Sequence, residues 1–188
     1  MSSSAFAAAS EWVIAWEGGY TNDAGDPGNW TGGAVGAGTL LGTKYGISAA
    51  AFPTMDIPNL TVQEAQILYA ANYWTPVAGD SLPAALAMIV FDGAVNSGVS
   101  QSAEWLQVVL GVTEDGAIGP ETLAAVAAYQ PNEPTTMSAV AALCFETLAQ
   151  RVAANGCDPN FGVFGLGWSR RTSALALQAA TMLQGATA

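Results

Sequence analysis

The chain has no histidine and only two cysteines among its 188 residues. Without histidine, serine–histidine and cysteine–histidine catalysis and most zinc sites are excluded. The two cysteines, Cys144 and Cys157, are separated by a predicted helix end, and we expect two free thiols rather than one disulfide. Any catalytic site must therefore use other side chains.

Positive charge is scarce as well: four basic and 15 acidic residues give a formal net charge of −11. This balance argues against a non-specific partnership with nucleic acid or an anionic membrane, so a polyanionic substrate would have to be held by a local cleft. Because 51% of the residues are hydrophobic and only 10% are charged, we expect a globular protein rather than a disordered one. The length suits one substantial domain, or a domain with a small partner.

The chain has no apolar run of membrane-spanning length, and its N-terminus lacks the basic patch that opens a secretory signal. The sequence therefore predicts synthesis as a soluble cytoplasmic protein without membrane insertion, whatever its later destination.

The most informative stretch is Trp-Glu-Gly-Gly-Tyr at residues 16–20. Residues 4–17 are predicted to form a helix that the two glycines end, which puts Glu17 at the negative end of the helix dipole. Trp16 and Tyr20 would reduce the hydration of its charge. Both effects favour the protonated carboxylic acid that a general acid must be. The alternative is a solvated residue at a helix end.

After this stretch comes a glycine-rich loop from Gly18 to about Gly42, part of which is expected to form a small hairpin with residues 43–47 as the returning strand. The rest of the chain is predicted to be helical. Thr61 and Glu64 form a capping box, and Thr135 or Thr136 is expected to cap a long helix. The predicted helices cover residues 61–73, 83–97, 100–110, 120–129, 135–155 and 168–183. The predicted fold class is mainly α, with a glycine-rich loop or small β-hairpin after the first helix.

Two polar residues interrupt the apolar 83–97 helix. Asp92 and Asn96 lie one turn apart on one face, and buried polar groups need partners. They either tether the glycine-rich loop or face a cleft and contact a substrate, and the sequence does not separate these alternatives.

Several motifs together match one pattern. The motifs are Glu17-Gly18-Gly19-Tyr20, Asn22-Asp23, Asp26-Pro27-Gly28, Thr43-Lys44-Tyr45-Gly46-Ile47-Ser48, Tyr73-Trp74, Phe91 to Gly98, Leu106-Gln107, Asp115 to Thr122 and Gly167-Trp168-Ser169-Arg170-Arg171. Through these motifs the chain resembles glycoside hydrolase family 108, the lysozyme-like muramidases of phages and some bacterial secretion systems, over nearly its whole length. Among these motifs, Asp115 to Thr122 resembles the family's C-terminal peptidoglycan-binding segment.

The resemblance implies a lysozyme-like fold with a catalytic region at residues 1–98. Residues 99–188 would form a helical, peptidoglycan-binding-like region that packs as the second lobe of one compact unit. The resemblance also makes Glu17 the catalytic acid, and Asp26 follows it nine residues later. A threonine assists in relatives. Thr43 matches the family motif and is the preferred catalytic threonine, whereas Thr31 lies at the shorter spacing. For Asp26 the alternative is an aspartate that caps its own turn.

The implied activity is that of a muramidase, a glycoside hydrolase that cleaves the β-1,4 bond between N-acetylmuramic acid and N-acetylglucosamine in peptidoglycan. A water held by Asp26 and a threonine on the opposite face of the sugar would invert the anomer, with the two carboxyls about 6.5–9.5 Å apart. Tyr20 and Tyr45, with Asp92 and Asn96, are the expected substrate contacts. No metal or organic cofactor is needed, and we expect a monomer that acts on the cell wall after release from a bacterial host.

Two other functions stay open. A lytic transglycosylase also uses one glutamate, but makes a hydroxyl of the sugar the attacking group, and the presence of Asp26 counts against it. A non-catalytic peptidoglycan-binding protein would have no need of Glu17 at its helix end. The biological role we expect is that of a phage or prophage lysin, although toxin release or wall remodelling would use the same catalytic body.

Overall fold

The computed structural model describes residues 3–131 and 138–185. This part of the chain is mainly helical, with one two-stranded antiparallel sheet after the first helix, which confirms the predicted fold class. In chain order the elements are α1 (Ser4–Glu17), β1 (Thr43–Lys44), β2 (Ile47–Ser48), α2 (Val62–Tyr69), α3 (Ala84–Ser97), α4 (Val99–Leu110), α5 (Pro120–Ala128), α6 (Ala139–Gly156) and α7 (Phe161–Gly185). Short 3₁₀ turns cover Pro27–Asn29, Ile57–Asn59 and Gly79–Ser81, and Ala70–Trp74 is a π-helical turn.

The ends of several helices follow from local signals in the sequence. The capping box of α2 is confirmed: the Thr61 hydroxyl accepts from the Glu64 N–H, and the Glu64 carboxylate accepts from the Thr61 N–H. Gly98 ends α3 with a φ of 92°, and Gly111 ends α4 with a φ of 65°. Glycine adopts this positive φ without the steric penalty of a Cβ atom.

The predicted starts of the last two helices need correction. The residue that caps α6 is Ser138, whose hydroxyl accepts from the Ala141 N–H; Thr135 and Thr136 lie outside the described residues. Helix α7 begins at Phe161 rather than near Trp168. Three glycines at positions 162, 165 and 167 gave this stretch the composition of a loop. Gly165 is buried, however, and the Phe161 ring fills the space where its side chain would stand.

The described chain divides into two units. One contains residues 10–70, and the other contains residues 3–9 together with 71–185. They are referred to as the 10–70 unit and the 71–185 unit. The predicted division into a catalytic region at residues 1–98 and a peptidoglycan-binding-like region at residues 99–188 stays a prediction.

The core of the 71–185 unit is built around α3. Residues 85–94 of this helix are all buried, including Asp92, as expected for a helix that is apolar on every side. Phe6, Trp74 and Phe91 form an edge-to-face ring cluster with centroids 5.3–6.1 Å apart. Helices α4, α6 and α7 all pack against α3.

In the 10–70 unit, residues 43–47 were predicted as a single returning strand, but they belong to a hairpin of two short strands. Thr43 pairs with Ser48 and Lys44 with Ile47, and Tyr45-Gly46 forms the turn between the two strands. Both turn residues have positive φ, 52° and 74°, as two-residue hairpins with a primed turn require. The glycine-rich loop closes through isolated bridges, Thr21 with Thr43 and Trp30 with Leu40.

Among the described residues, no helix combines the length and the apolar character that crossing a bilayer requires. The cysteines are two free thiols, as the sequence favours. Cys144 is buried and Cys157 is exposed.

Candidate active site

Glu17 is the last residue of α1, and the chain leaves the helix at Gly18 with a φ of 80°. The predicted helix end is therefore confirmed. The Glu17 side chain is half-buried. Trp16 and Tyr20 are 40% and 42% exposed, so the shielding that the sequence predicts from these two rings is weak.

The hairpin turn supplies closer packing around Glu17. A Cβ atom placed on Gly46 would lie 3.0 Å from Glu17 Cγ, 3.1 Å from Glu17 Oε2 and 2.6 Å from Tyr69 Oη. The space that a side chain would need at position 46 is thus filled by the Glu17 carboxyl group and the Tyr69 hydroxyl. Only glycine combines this close approach with the positive φ of the turn.

Asp26 lies in an exposed loop, where it caps the turn that follows. Its Oδ1 accepts from the Gly28 N–H at 2.8 Å, and the 3₁₀ turn begins at the next residue, Pro27. The capping alternative for Asp26 is therefore present in the structure. The cap uses one of the two carboxylate oxygens, so it does not exclude a second role for the other.

The completely buried side chain of Asn29 holds this acidic loop in place. Its Nδ2 donates to the Asp23 carbonyl at 3.0 Å, and its Oδ1 accepts from the Thr43 hydroxyl at 2.7 Å. The Asn29 carbonyl accepts from the N–H groups of Leu41 and Gly42. One buried amide therefore connects the loop that carries Asp26 to the strand that carries Thr43.

Thr43 occupies a well-fixed position. Its backbone exchanges hydrogen bonds of 2.8 and 2.9 Å with Thr21, and on its other side it pairs with Ser48. The Asn29 amide is oriented by the Asp23 carbonyl, so its oxygen faces Thr43 and the threonine hydroxyl must donate. The oxygen of Thr43 consequently offers only lone pairs to any further partner. Thr31, by contrast, uses its hydroxyl to accept from the Thr39 N–H within the glycine-rich loop.

Tyr45 is half-buried, and the Lys44 ammonium lies over its ring. The Lys44 ammonium lies 5.5 Å from the ring centroid and donates to the Pro58 carbonyl at 2.9 Å. Tyr45 and the exposed Tyr20 belong to the same unit as Glu17, Asp26 and Thr43.

Asp92 and Asn96 belong to the 71–185 unit. Asp92 is fully buried, with Oδ2 2.7 Å from Arg151 Nη1 and Oδ1 2.8 Å from Arg171 Nη2. Asn96 is exposed and donates to the Asp92 carbonyl at 2.8 Å. The Asp92 carboxylate thus ion-pairs with α6 and α7, and no part of it is at the surface for a ligand to contact.

Asn96 also lines a cavity of about 320 Å³ in the 71–185 unit. Trp105, Arg151 and Trp168 are among the other lining residues. Trp105 Nε1 and Arg151 Nε are buried and have no hydrogen-bond partner in the described structure, which is uncommon for buried N–H groups.

The Asp115 to Thr122 motif is organised by Gln107. Its Nε2 donates to Asp115 Oδ1 at 2.7 Å and to the Ala117 carbonyl at 3.0 Å, and its Oε1 accepts from the Gly116 N–H at 3.0 Å. The Gln107 amide and the Ala117 N–H both donate to the Asp115 carboxylate, and these bonds hold its pKa below the usual value. Two motifs of the sequence, Leu106-Gln107 and Asp115 to Thr122, are therefore parts of one hydrogen-bonded element.

The sequence did not point to Asn29, Tyr69 or the arginine partners of Asp92. Asn29 follows the Asp-Pro-Gly motif directly, and Arg171 closes the last motif, so their places in motifs were the available signal. Nothing local marks Tyr69, because its role depends on a turn 24 residues earlier in the chain.

Known proteins resemble this chain over different parts of its length. Residues 10–98 match the glycosyl hydrolase 108 family. A solved structure of SagA from Brucella abortus is 33% identical to this chain, with a TM-score of 0.74 and coverage of 94% of each chain. No curated protein matches the chain at a significant level. The chain therefore belongs to the glycosyl hydrolase 108 family through residues 10–98, which hold Glu17, Asp26 and Thr43.

Proposed function

We propose that this protein is a peptidoglycan hydrolase, specifically a muramidase that cleaves the β-1,4 bond between N-acetylmuramic acid and N-acetylglucosamine. The observation that carries the proposal is the setting of Glu17, a half-buried carboxyl at the end of α1 whose side chain packs on the Tyr45-Gly46 turn. It lies within the segment that matches a family of glycosidases.

In this mechanism Glu17 protonates the glycosidic oxygen as the bond to the sugar's anomeric carbon breaks. A water molecule attacks that carbon from the opposite face, and Asp26 accepts a proton from this water. Glu17 ends as a carboxylate and Asp26 as a carboxylic acid, and solvent returns both to their starting states.

Thr43 suits the placement of this water because of its bond to Asn29. With its proton directed to Asn29, the Thr43 oxygen can only accept, so a water bound there donates one hydrogen to Thr43. The second hydrogen of that water is then available to Asp26, which leaves an oxygen lone pair of the water for the attack. Asn29 would align the two acceptors, since it connects the strand of Thr43 to the loop of Asp26.

Tyr20 and Tyr45 are proposed as surfaces for the sugar rings. Tyr20 is 42% exposed and packs against Gly42, where a Cβ atom would lie 2.6 Å from the ring. Apolar sugar faces stack on such rings. Tyr45 is held between the hairpin strands with its ring beside Lys44.

We further propose that residues 99–188 contribute to peptidoglycan binding. The support is the cavity of about 320 Å³, which is lined by Trp105 and Trp168 together with the polar side chains of Asn96 and Arg151. This size lies at the lower end of the range typical of small-ligand pockets, roughly 300–1,000 Å³. Under this proposal Asn96 is a direct contact, and Asp92 acts through its ion pair with Arg151.

The assignment of Glu17 is tested by measuring the clearing of purified cell walls by the Glu17→Gln variant. We expect a rate loss of about 10²–10⁴-fold, which is the usual contribution of a general acid, with an unchanged circular dichroism spectrum. Glu11→Gln is the matched control, because it removes an exposed carboxylate from the same helix. Wild-type activity in Glu17→Gln would reject the proposed acid.

The role of Asp26 is tested by the stereochemistry of the reaction. NMR of the first-formed sugar should show the inverted anomer, and Asp26→Asn should slow its formation. A retained anomer would remove Asp26 as the base that holds the water, because inversion requires attack from the opposite face.

A further inference from the structure

Tyr69 is a buried polar residue that neither the sequence motifs nor the proposed mechanism uses. It is the last residue of α2 and is only 2% exposed. A buried phenol needs a hydrogen-bond partner, and the Tyr69 hydroxyl donates to the Tyr45 carbonyl at 2.8 Å. Tyr69 therefore reaches the hairpin turn rather than the surface.

The carbonyl that Tyr69 binds belongs to a strained residue. Tyr45 has a φ of 52°, in the left-handed region that bulky side chains rarely adopt. Such a conformation persists only where the surroundings fix it. The Tyr69 hydroxyl on one side and the two short strands on the other provide that constraint.

The next residue of the turn is in contact with Glu17. The space for a side chain at Gly46 is occupied by the Glu17 carboxyl group and by the Tyr69 hydroxyl itself, at 3.1 and 2.6 Å. A shift of the turn by a fraction of an ångström would therefore move the surface on which the Glu17 carboxyl group rests.

We propose that Tyr69 is a positioning residue for the catalytic acid: by holding the carbonyl of Tyr45, it fixes the turn against which Glu17 is aligned with the glycosidic oxygen. This inference rests on the proposed function. Tyr69 itself touches no substrate, because it is buried, and its effect is exerted through the Tyr45-Gly46 backbone.

The test uses Tyr69→Phe, which removes only the hydroxyl, and two substrates that differ in their need for an acid. One is a soluble glycan strand from cell walls, whose sugar leaving group must be protonated. The other is the same glycan fragment with 4-nitrophenol as the leaving group, which departs as a stable anion without protonation. Misplacement of a catalytic group by about 1 Å costs on the order of 10²-fold in rate.

We expect Tyr69→Phe to lower kcat on the glycan strand by about 10–100-fold and on the nitrophenyl substrate by less than about 3-fold, with KM nearly unchanged on both. The ratio of the two rates does not depend on how much of the enzyme is folded, so a partly unfolded variant still answers the question. Tyr129→Phe is the matched control: it removes a tyrosine hydroxyl from the 71–185 unit, away from the residues that line the cavity, and should leave the ratio of the two rates unchanged.

Equal losses on the two substrates, or no loss on either, would overturn the role of Tyr69. Glu17→Gln is measured alongside. It should also lose more activity on the glycan strand than on the nitrophenyl substrate, and its loss on the glycan strand should be larger than that of Tyr69→Phe. If Glu17→Gln retains full activity on the glycan strand, the proposed function has failed, and this result is distinct from a failure of Tyr69 alone.

Discussion

Replacing Asp92 with asparagine should destabilise the protein severely, because two buried arginines share its carboxylate. Asp92 is 0% exposed, and Arg151 and Arg171 are 3% and 8% exposed. Their nitrogens lie 2.7–2.9 Å from its two oxygens. Asparagine keeps the volume of the side chain, so the change isolates the loss of charge from any cavity.

Removing one partner of a buried ion pair costs about 3–5 kcal/mol, since the other charge is left uncompensated. Here two guanidinium groups lose the same carboxylate, so we expect the upper end of this range, about 5 kcal/mol. For a chain of this length, 1 kcal/mol shifts the Tm by roughly 2–4 °C, which gives an expected decrease of about 10–20 °C.

Urea unfolding at pH 7, followed by circular dichroism, measures this effect. The urea concentration at the unfolding midpoint should fall, while the slope m of the unfolding free energy against urea concentration stays the same. Arg170→Met is the matched control, because Arg170 is exposed and adjacent to Arg171; its stability should stay within about 0.5 kcal/mol of wild type. Adding Arg151→Met to Asp92→Asn should recover part of the loss, because it removes one of the stranded charges. An Asp92→Asn variant whose stability stays within about 1 kcal/mol of wild type would refute this reasoning.

Three further predictions concern other parts of the chain. Asn29→Ala should lower stability by about 1–3 kcal/mol, since it leaves buried partners unsatisfied, and should speed hydrogen exchange at residues 21–43; unchanged exchange there would contradict its role in holding the loop. Iodoacetamide at pH 8 should modify Cys157 alone in the native protein, because burial raises the pKa of Cys144 to about 12, and mass spectrometry that finds two adducts before denaturation would disagree. The Ser3 hydroxyl and the Trp74 indole donate to Asp80 and lower its pKa, so its stabilising effect is complete above about pH 4 and is lost as the pH falls through the folded-state pKa. The difference in stability between wild type and Asp80→Asn should therefore become smaller as the pH falls from 5 towards 2. Thermal unfolding at several pH values measures this difference, and an increase at low pH would contradict the prediction.

The features that the sequence predicted well are those with local causes. A threonine followed three residues later by glutamate defines the start of α2, and a glycine after an apolar helix defines the ends of α3 and α4. The end of α1 at Glu17 has the same origin, and so the position of the candidate acid follows from the glycines beside it.

Features that depend on distant contacts could not be predicted. The buried position of Asp92 implied partners, but these lie 59 and 79 residues away, on α6 and α7. The hairpin at residues 43–48 looked like a single strand, because Tyr45 adopts a left-handed conformation that local propensity disfavours. The early start of α7 is different, because the Phe161 ring covers Gly165 only four residues later in the same helix.

The same distinction between local causes and distant contacts applies to the candidate site. The chain positions of Glu17, Asp26 and Thr43 follow from spacing and motifs, whereas the bonds that organise them do not. Asn29 connects to Thr43 across 14 residues, and Tyr69 connects to Tyr45 across 24. Such connections become visible only when the loop and the hairpin are folded together.

Mass spectrometry of the products released from purified sacculi tests the central claim most directly. Hydrolysis by Glu17 and a bound water predicts muropeptides that end in reducing N-acetylmuramic acid, and the Glu17→Gln variant should release them about 10²–10⁴-fold more slowly. Products lighter by one water, ends in reducing N-acetylglucosamine, or equal release by Glu17→Gln would contradict it.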